Sequence, residues 1–262
     1  MIRLRPRRRR KGLATQAKPA FVLVHGGTHG GWCWSRVAGR LRAAEHLVFT
    51  PTMTGLGERY HLTGPSVNLD THIQDLVGVL EWEDLRETVL VAHSYGGYPV
   101  TGAVDRIPER VGQIIYLDAL IGRSGTALFD LAPPETTAEK IATAHEVGGG
   151  MVLAGLDVER YGITDPGDRG WVTERITPQP LSTYTTRLRL EHPVGNGKPC
   201  SFIRCTQPRL ASVEESHQFA GQVGMSLFEI TAGHDAMVTA PAELSDLLLM
   251  IVSRNLGAGG RV

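Results

Sequence analysis

The chain has 262 residues, of which 42% are hydrophobic, 21% charged and 6% aromatic; these near-average fractions exclude a disordered or fibrous polypeptide. Its formal charge of zero is unevenly spread: residues 1–11 carry seven Lys or Arg and no acid, leaving 20 basic and 27 acidic side chains elsewhere. A body carrying a net −7 repels phosphate and so argues against a nucleic-acid partner, and no apolar run reaches the roughly 18 residues of a membrane span.

Residues 1–19 read as a basic, solvated tail, because the apolar stretch that follows is too short for a signal-peptide core. That stretch, FVLVH at 21–25, is the first predicted strand. Further short apolar strands are predicted at 47–50, 88–92, 114–118, 201–205 and 226–231. Helical spacing separates them: Trp34, Val37, Ala38 and Leu41; then Leu69, Ile73, Leu76, Val77 and Leu80; then Val100, Val104 and Ile107. A last helix opens after Pro241 with Leu244, Leu247, Leu248 and Ile251. Strands alternating with helices predict an α/β fold with a mostly parallel sheet flanked by helices. The pattern lapses over residues 120–199, too long for an ordinary connection. This stretch is therefore expected to be an inserted cap or lid between core segments 20–119 and 200–262, with weak helix patterns at 138–146 and 182–190.

Within this framework, VLVAHSYGG at 89–97 runs a strand into Ser94 and opens a helix with two glycines. That is the layout of a nucleophile elbow, with Ala92 in place of the first glycine of G-x-S-x-G. A serine hydroxyl needs a base. His234, in the turn between the last strand and the last helix, should reach the same edge of a parallel sheet as Ser94. The first strand ends in His25-Gly26-Gly27, whose turn can aim the Gly27 N–H, with that of Tyr95, at an oxyanion. His25 reads as a structural hydrogen-bonding residue.

Several other chemistries find no support. The ten histidines form no HExxH motif or Cys/His cluster, so no metal is expected. No dinucleotide fingerprint or P-loop is complete, and no cofactor is expected. Cys33, Cys200 and Cys205 form no CxxC pair; an odd, low count points to free thiols in a reducing, cytoplasmic setting.

The segments FVLVHGGTHGGWCW (21–34), TPTMTGLGERYHL (50–62), LVAHSYGG (90–97), IIYLDAL (114–120), ITPQPLSTY (176–184) and TAGHDAMVTAP (231–241) resemble the hydroxynitrile lyase/plant methylesterase branch of the α/β-hydrolase superfamily, and its bacterial esterases in particular. The resemblance implies the α/β-hydrolase fold, a mostly helical cap and a Ser-His-acid triad. In this branch the acid follows the penultimate strand, yet that loop holds Glu214 and Glu215 and no Asp. Asp118, at the end of the strand after the nucleophile helix, is the preferred candidate, with Glu214 or Glu215 as alternatives. The cyanogenic lyases have Thr and Lys where this chain has Gly26 and Asp235, which favours acyl transfer. The expected activity is hydrolysis of a small to medium carboxylic ester or lactone, a small-molecule substrate. A cofactor-free lyase and a non-hydrolytic ligand receptor are the alternatives. Trp171 and Tyr184 are candidate pocket walls, and a homodimer stays open as an assembly.

Overall fold

A computed structural model describes residues 18–147, 149–153 and 158–258; most of the basic tail lies outside them. The core begins with β1 (Phe21–Val24), α1 (Ser35–Ala43), β2 (Val48–Phe49) and α2 (Leu69–Trp82). It continues through β3 (Thr88–His93), α3 (Gly97–Arg106) and β4 (Val111–Leu117). After β4 the chain leaves the sheet for an insertion comprising α4 (Pro134–Val147), β5 (Val152–Leu153), α5 (Pro166–Thr173), β6 (Gln179–Pro180) and α6 (Ser182–Thr185). It returns as β7 (Cys200–Cys205), α7 (Glu214–Gln222), β8 (Ser226–Ile230), α8 (Ala236–Thr239) and α9 (Pro241–Ala258).

The six core strands form one parallel sheet in the order β2-β1-β3-β4-β7-β8. Alternate residues of the buried strands feed two cores. Val22, Val24, Leu90 and Ala92 pack with α2 and α3 on one face. Phe21, Leu23, Val89 and Val91 pack with Trp34, Leu41 and the α9 leucines Leu244 and Leu248 on the other. Such two-sided burial is why these strands read as unbroken apolar runs. The register couples Val24 to Ala92, Ala92 to Tyr116 and Tyr116 to Phe202, so the carboxyl ends of β1, β3 and β4 share one edge. The strand order reverses between β1 and β3, the place where open α/β sheets form their binding crevice.

All six sheet strands lie where the apolar runs put them. The weak pattern at 182–190 gives only the four residues of α6; Thr186 is already extended, with φ −73° and ψ 128°, and the β-branched pair Thr185–Thr186 disfavours further helix. Among the described residues, no helix is long and apolar enough to cross a membrane.

Candidate active site

Ser94 follows β3 directly and has φ of 51°, a left-handed conformation that a non-glycine residue adopts only when its surroundings enforce it. The enforcement is visible. The Ser94 carbonyl accepts from Leu120 N at 2.9 Å. At Gly97 a Cβ would lie 2.2 Å from the Leu120 carbonyl oxygen, so α3 must begin without a side chain there.

Asp118, one residue past β4, is also left-handed (φ 43°) and fully buried. Its Oδ2 accepts from His234 Nδ1 at 2.7 Å and its Oδ1 from Cys205 N at 3.1 Å. The carboxylate thus holds the imidazole and is itself held by β7. Glu214 and Glu215 face elsewhere, paired with Arg204 and Arg123. Of the three acids weighed from the sequence, Asp118 is the one beside His234. The His234 ring packs against Tyr161 (centroids 4.9 Å apart) and His93 (4.5 Å).

The Gly26–Thr28 turn is pinned at three points. His25 Nδ1 donates to the Gly26 carbonyl at 2.7 Å, fixing the plane of the peptide that bears the Gly27 N–H. His29 Nδ1 donates to the Gly27 carbonyl at 2.8 Å, and Thr28 N donates to Gln179 Oε1 at 2.8 Å. His25 Nε2 accepts from Met53 N, which makes His25 a neutral imidazole; burial brings its pKa down to about 3. Both of its ring nitrogens are committed to backbone groups. Tyr95, which follows Ser94, is anchored through its phenol, which donates to His72 Nδ1 at 2.8 Å.

Ser94, His234, Gly26, Gly27 and His29 line one cavity of about 140 Å³, whose far wall includes Leu128, Phe129, Tyr161 and Tyr184. This volume is small for a ligand site, since drug-sized pockets run from roughly 300 Å³ upward. Tyr184 lies where a pocket wall was expected. Trp171 does not: it packs edge-on against Trp32, with the guanidiniums of Arg36 and Arg175 over its ring. Flanking arginines draw that indole to the outer surface of the core, away from the cavity.

A buried charge pair adjoins the site. Asp235 Oδ2 lies 3.3 Å from His29 Nε2, and its Oδ1 lies 3.7 Å from His93 Nε2. Burial alone would raise the Asp235 pKa, but His29 outweighs it and holds the carboxyl below the usual range. Burial likewise opposes charging His29, yet Asp235 leaves its pKa raised. The negative charge expected beside His234 is therefore paired, not free. Burial keeps His93 neutral, helped by His234. Neither His29 nor Asp235 was assigned a site role from the sequence; a buried pair between residues two hundred positions apart leaves no local signature.

Among the described residues, His93, His234 and Asp235 form a group whose potential ligand atoms lie within 4.8 Å of one another. Two of their ring nitrogens are already donors, His93 Nε2 to the His234 carbonyl and His234 Nδ1 to Asp118. A cation there would have to take the remaining nitrogens and compete with His29 for Asp235.

The parallel sheet, the strained serine after β3 and the histidine–carboxylate pair at the sheet's carboxyl edge define an α/β-hydrolase, and the chain belongs to the alpha/beta hydrolase family, whose model matches residues 21–247. Among curated proteins it is 39% identical to the carbendazim hydrolyzing esterase of Nocardioides sp. strain SG-4G, over 87% of this chain and 97% of that protein. It is 34% identical to esterase PIR7B of Oryza sativa subsp. japonica, over 92% of this chain and 98% of that protein. Among solved structures, an extracellular alpha/beta-hydrolase from a Paenibacillus species, described as sharing structural and functional homology with tobacco salicylic acid binding protein 2, superposes with a TM-score of 0.76 at 20% identity, covering 88% of this chain and 98% of that one. These relatives support a carboxylic ester hydrolase.

Proposed function

We propose that the chain is a serine hydrolase acting on a small to medium carboxylic ester or lactone through an acyl-enzyme. The observation that carries the reading is the His234–Asp118 hydrogen bond of 2.7 Å at the wall of the cavity that holds the strained Ser94. With Nδ1 protonated and committed to Asp118, His234 Nε2 is left as the base that takes the Ser94 proton. The Ser94 oxygen attacks the carbonyl carbon, and the Gly27 and Tyr95 N–H groups stabilise the oxygen that becomes negative. His234 then protonates the departing alcohol, and a water activated by the same nitrogen releases the acid.

The cavity's size supports a compact substrate, and the insertion acts as its cap. Cys33, Cys200 and Cys205 are all free thiols, which supports a reducing, cytoplasmic location.

A fluorophosphonate should label the wild type at Ser94, and Ser94→Ala should lose labelling and about 10⁴-fold or more in turnover with the fold intact. Labelling elsewhere, or an active mutant, would overturn the proposal. A panel of p-nitrophenyl, aryl methyl and lactone substrates, with carbendazim included because of the Nocardioides relative, would place the substrate class.

A further inference from the structure

Tyr184 belongs to α6, and its ring is wedged between Tyr95 (centroids 5.2 Å apart, planes 35° apart) and Phe129 (5.5 Å, edge-on). A ring held on two sides puts its hydroxyl in a defined place, and that place is Gly27. A Cβ built on Gly27 would lie 2.1 Å from Tyr184 Oη and 3.3 Å from Cζ. The phenol oxygen thus occupies the space a side chain at position 27 would need, which is a reason for glycine there independent of backbone strain. It also means that a cap hydroxyl touches the residue whose N–H is aimed at the reacting oxygen.

No described residue pairs with this hydroxyl, although it lines the cavity together with Ser94 and His234. Burial, with Tyr161 nearby, pushes the phenol pKa above its ordinary value. Tyr184 accordingly keeps its proton at any working pH and acts as a donor. Tyr184 is only partly buried, and its hydroxyl is open to an acceptor that enters the cavity. In this cavity the acceptor that must come to Gly27 is the substrate's carbonyl oxygen.

We propose that Tyr184 Oη–H is a third donor of the oxyanion hole, completing a set with the Gly27 and Tyr95 N–H groups. The inference rests on the acyl-enzyme reading above. As the Ser94 Oγ–C bond forms, the carbonyl π pair moves onto oxygen and the Ser94 proton moves to His234. Tyr184 hydrogen-bonds the new oxyanion without giving up its own proton. The cap would then take part in the chemistry as well as enclosing the substrate.

The test is Tyr184→Phe, which removes one oxygen and keeps the ring. Rates are taken per active site, titrated with a fluorophosphonate. The expected result is a kcat lower by on the order of 10²-fold, with KM within about twofold. Affinity for a trifluoromethyl ketone, which traps the serine as a hemiketal, should fall by a similar factor. Wild-type kcat, or a change confined to KM, would reduce Tyr184 to a pocket wall and overturn the inference while leaving the serine mechanism standing. Failure of the wild type to be labelled at Ser94 would sink both. Gly27→Ala gives a second measure. Its methyl should displace the hydroxyl and lower kcat in the wild type, yet cost much less in the Tyr184→Phe background. Equal losses in the two backgrounds would place the hydroxyl away from the oxyanion.

Discussion

Replacing Asp118 by Asn tests the catalytic geometry most directly, because the two carboxylate oxygens serve two donors. Oδ2 takes the His234 Nδ1–H at 2.7 Å and Oδ1 the Cys205 N–H at 3.1 Å. An amide has a single acceptor oxygen. If that oxygen stays on Cys205, its NH₂ faces His234 Nδ1, which must then accept, and the imidazole proton moves to Nε2. A histidine protonated there cannot take the Ser94 proton. A wrong tautomer of this kind costs about 10⁴-fold in kcat, about 5.4 kcal/mol at 1.36 kcal/mol per tenfold. If the amide flips to keep His234, the buried Cys205 N–H loses its acceptor at a cost of about 1–3 kcal/mol, which should lower Tm by about 2–4 °C per kcal/mol. Steady-state kinetics on titrated active sites, with thermal melts alongside, separate the two arms. Glu214→Gln and Glu215→Gln should stay within a few-fold of wild type, since those acids pair with Arg204 and Arg123. Retention of activity within tenfold by Asp118→Asn, with an unchanged Tm, would refute the reasoning. So would a large loss in either Glu variant.

Acid should destabilise the fold through its buried neutral histidines. Burial brings His25 to about 3 and His72 to about 4, and pushes His93 well down. Their contribution is complete above the unfolded value of about 6.5 and is lost as pH falls toward the folded values, at about 1.4 kcal/mol per pH unit for each group. Three such groups give about 4 kcal/mol per unit below pH 6; His29, whose pKa is raised, works in the other direction only above about pH 6.5, where its contribution is lost as pH rises, and leaves the decline below pH 6 unopposed. Urea unfolding at pH 7.5, 6 and 5 should show the decline; a flat profile would contradict it. Gly97→Ala should cost about 1–3 kcal/mol and much of the turnover, because the clashing atom is the backbone oxygen of Leu120. A melt and a rate equal to wild type would show that the elbow can yield. Trp171→Ala should lower Tm through its lost packing on Trp32 while leaving KM within about twofold; a shifted KM would return Trp171 to the pocket.

The sheet and the two ends of the site were legible because burial on both faces leaves unbroken apolar strands in the sequence. The topology of alternating strands and helices then carries the residues after β1 and β3 to one edge. Asp118 could be preferred over Glu214 and Glu215 on the same ground, since a residue ending β4 must come out beside the elbow. Tertiary pairing was hidden. Nothing around His29 announces that Asp235 faces it at 3.3 Å, or that Gln179 accepts from Thr28 N across 151 positions. Trp171 shows the opposite failure: an aromatic in an irregular, glycine-rich stretch reads as a pocket wall, whereas two arginines and Trp32 claim it for packing.

The hydrogen bond from Thr28 N to Gln179 Oε1 has a consequence for how this scaffold can be altered. Gln179 is fixed in turn, its Nε2 donating to Thr183 Oγ1 at 2.7 Å. The turn after β1 is therefore finished by a side chain from the insertion. Exchanging residues 120–199 for the matching stretch of a relative is then no neutral cassette swap. A graft without an amide at this position would leave Thr28 N without its acceptor and the turn held by His25 and His29 alone. Chimeras made to transfer substrate preference should carry Gln179 and Thr183 along with the new pocket residues, and libraries that diversify the insertion should hold these two positions constant.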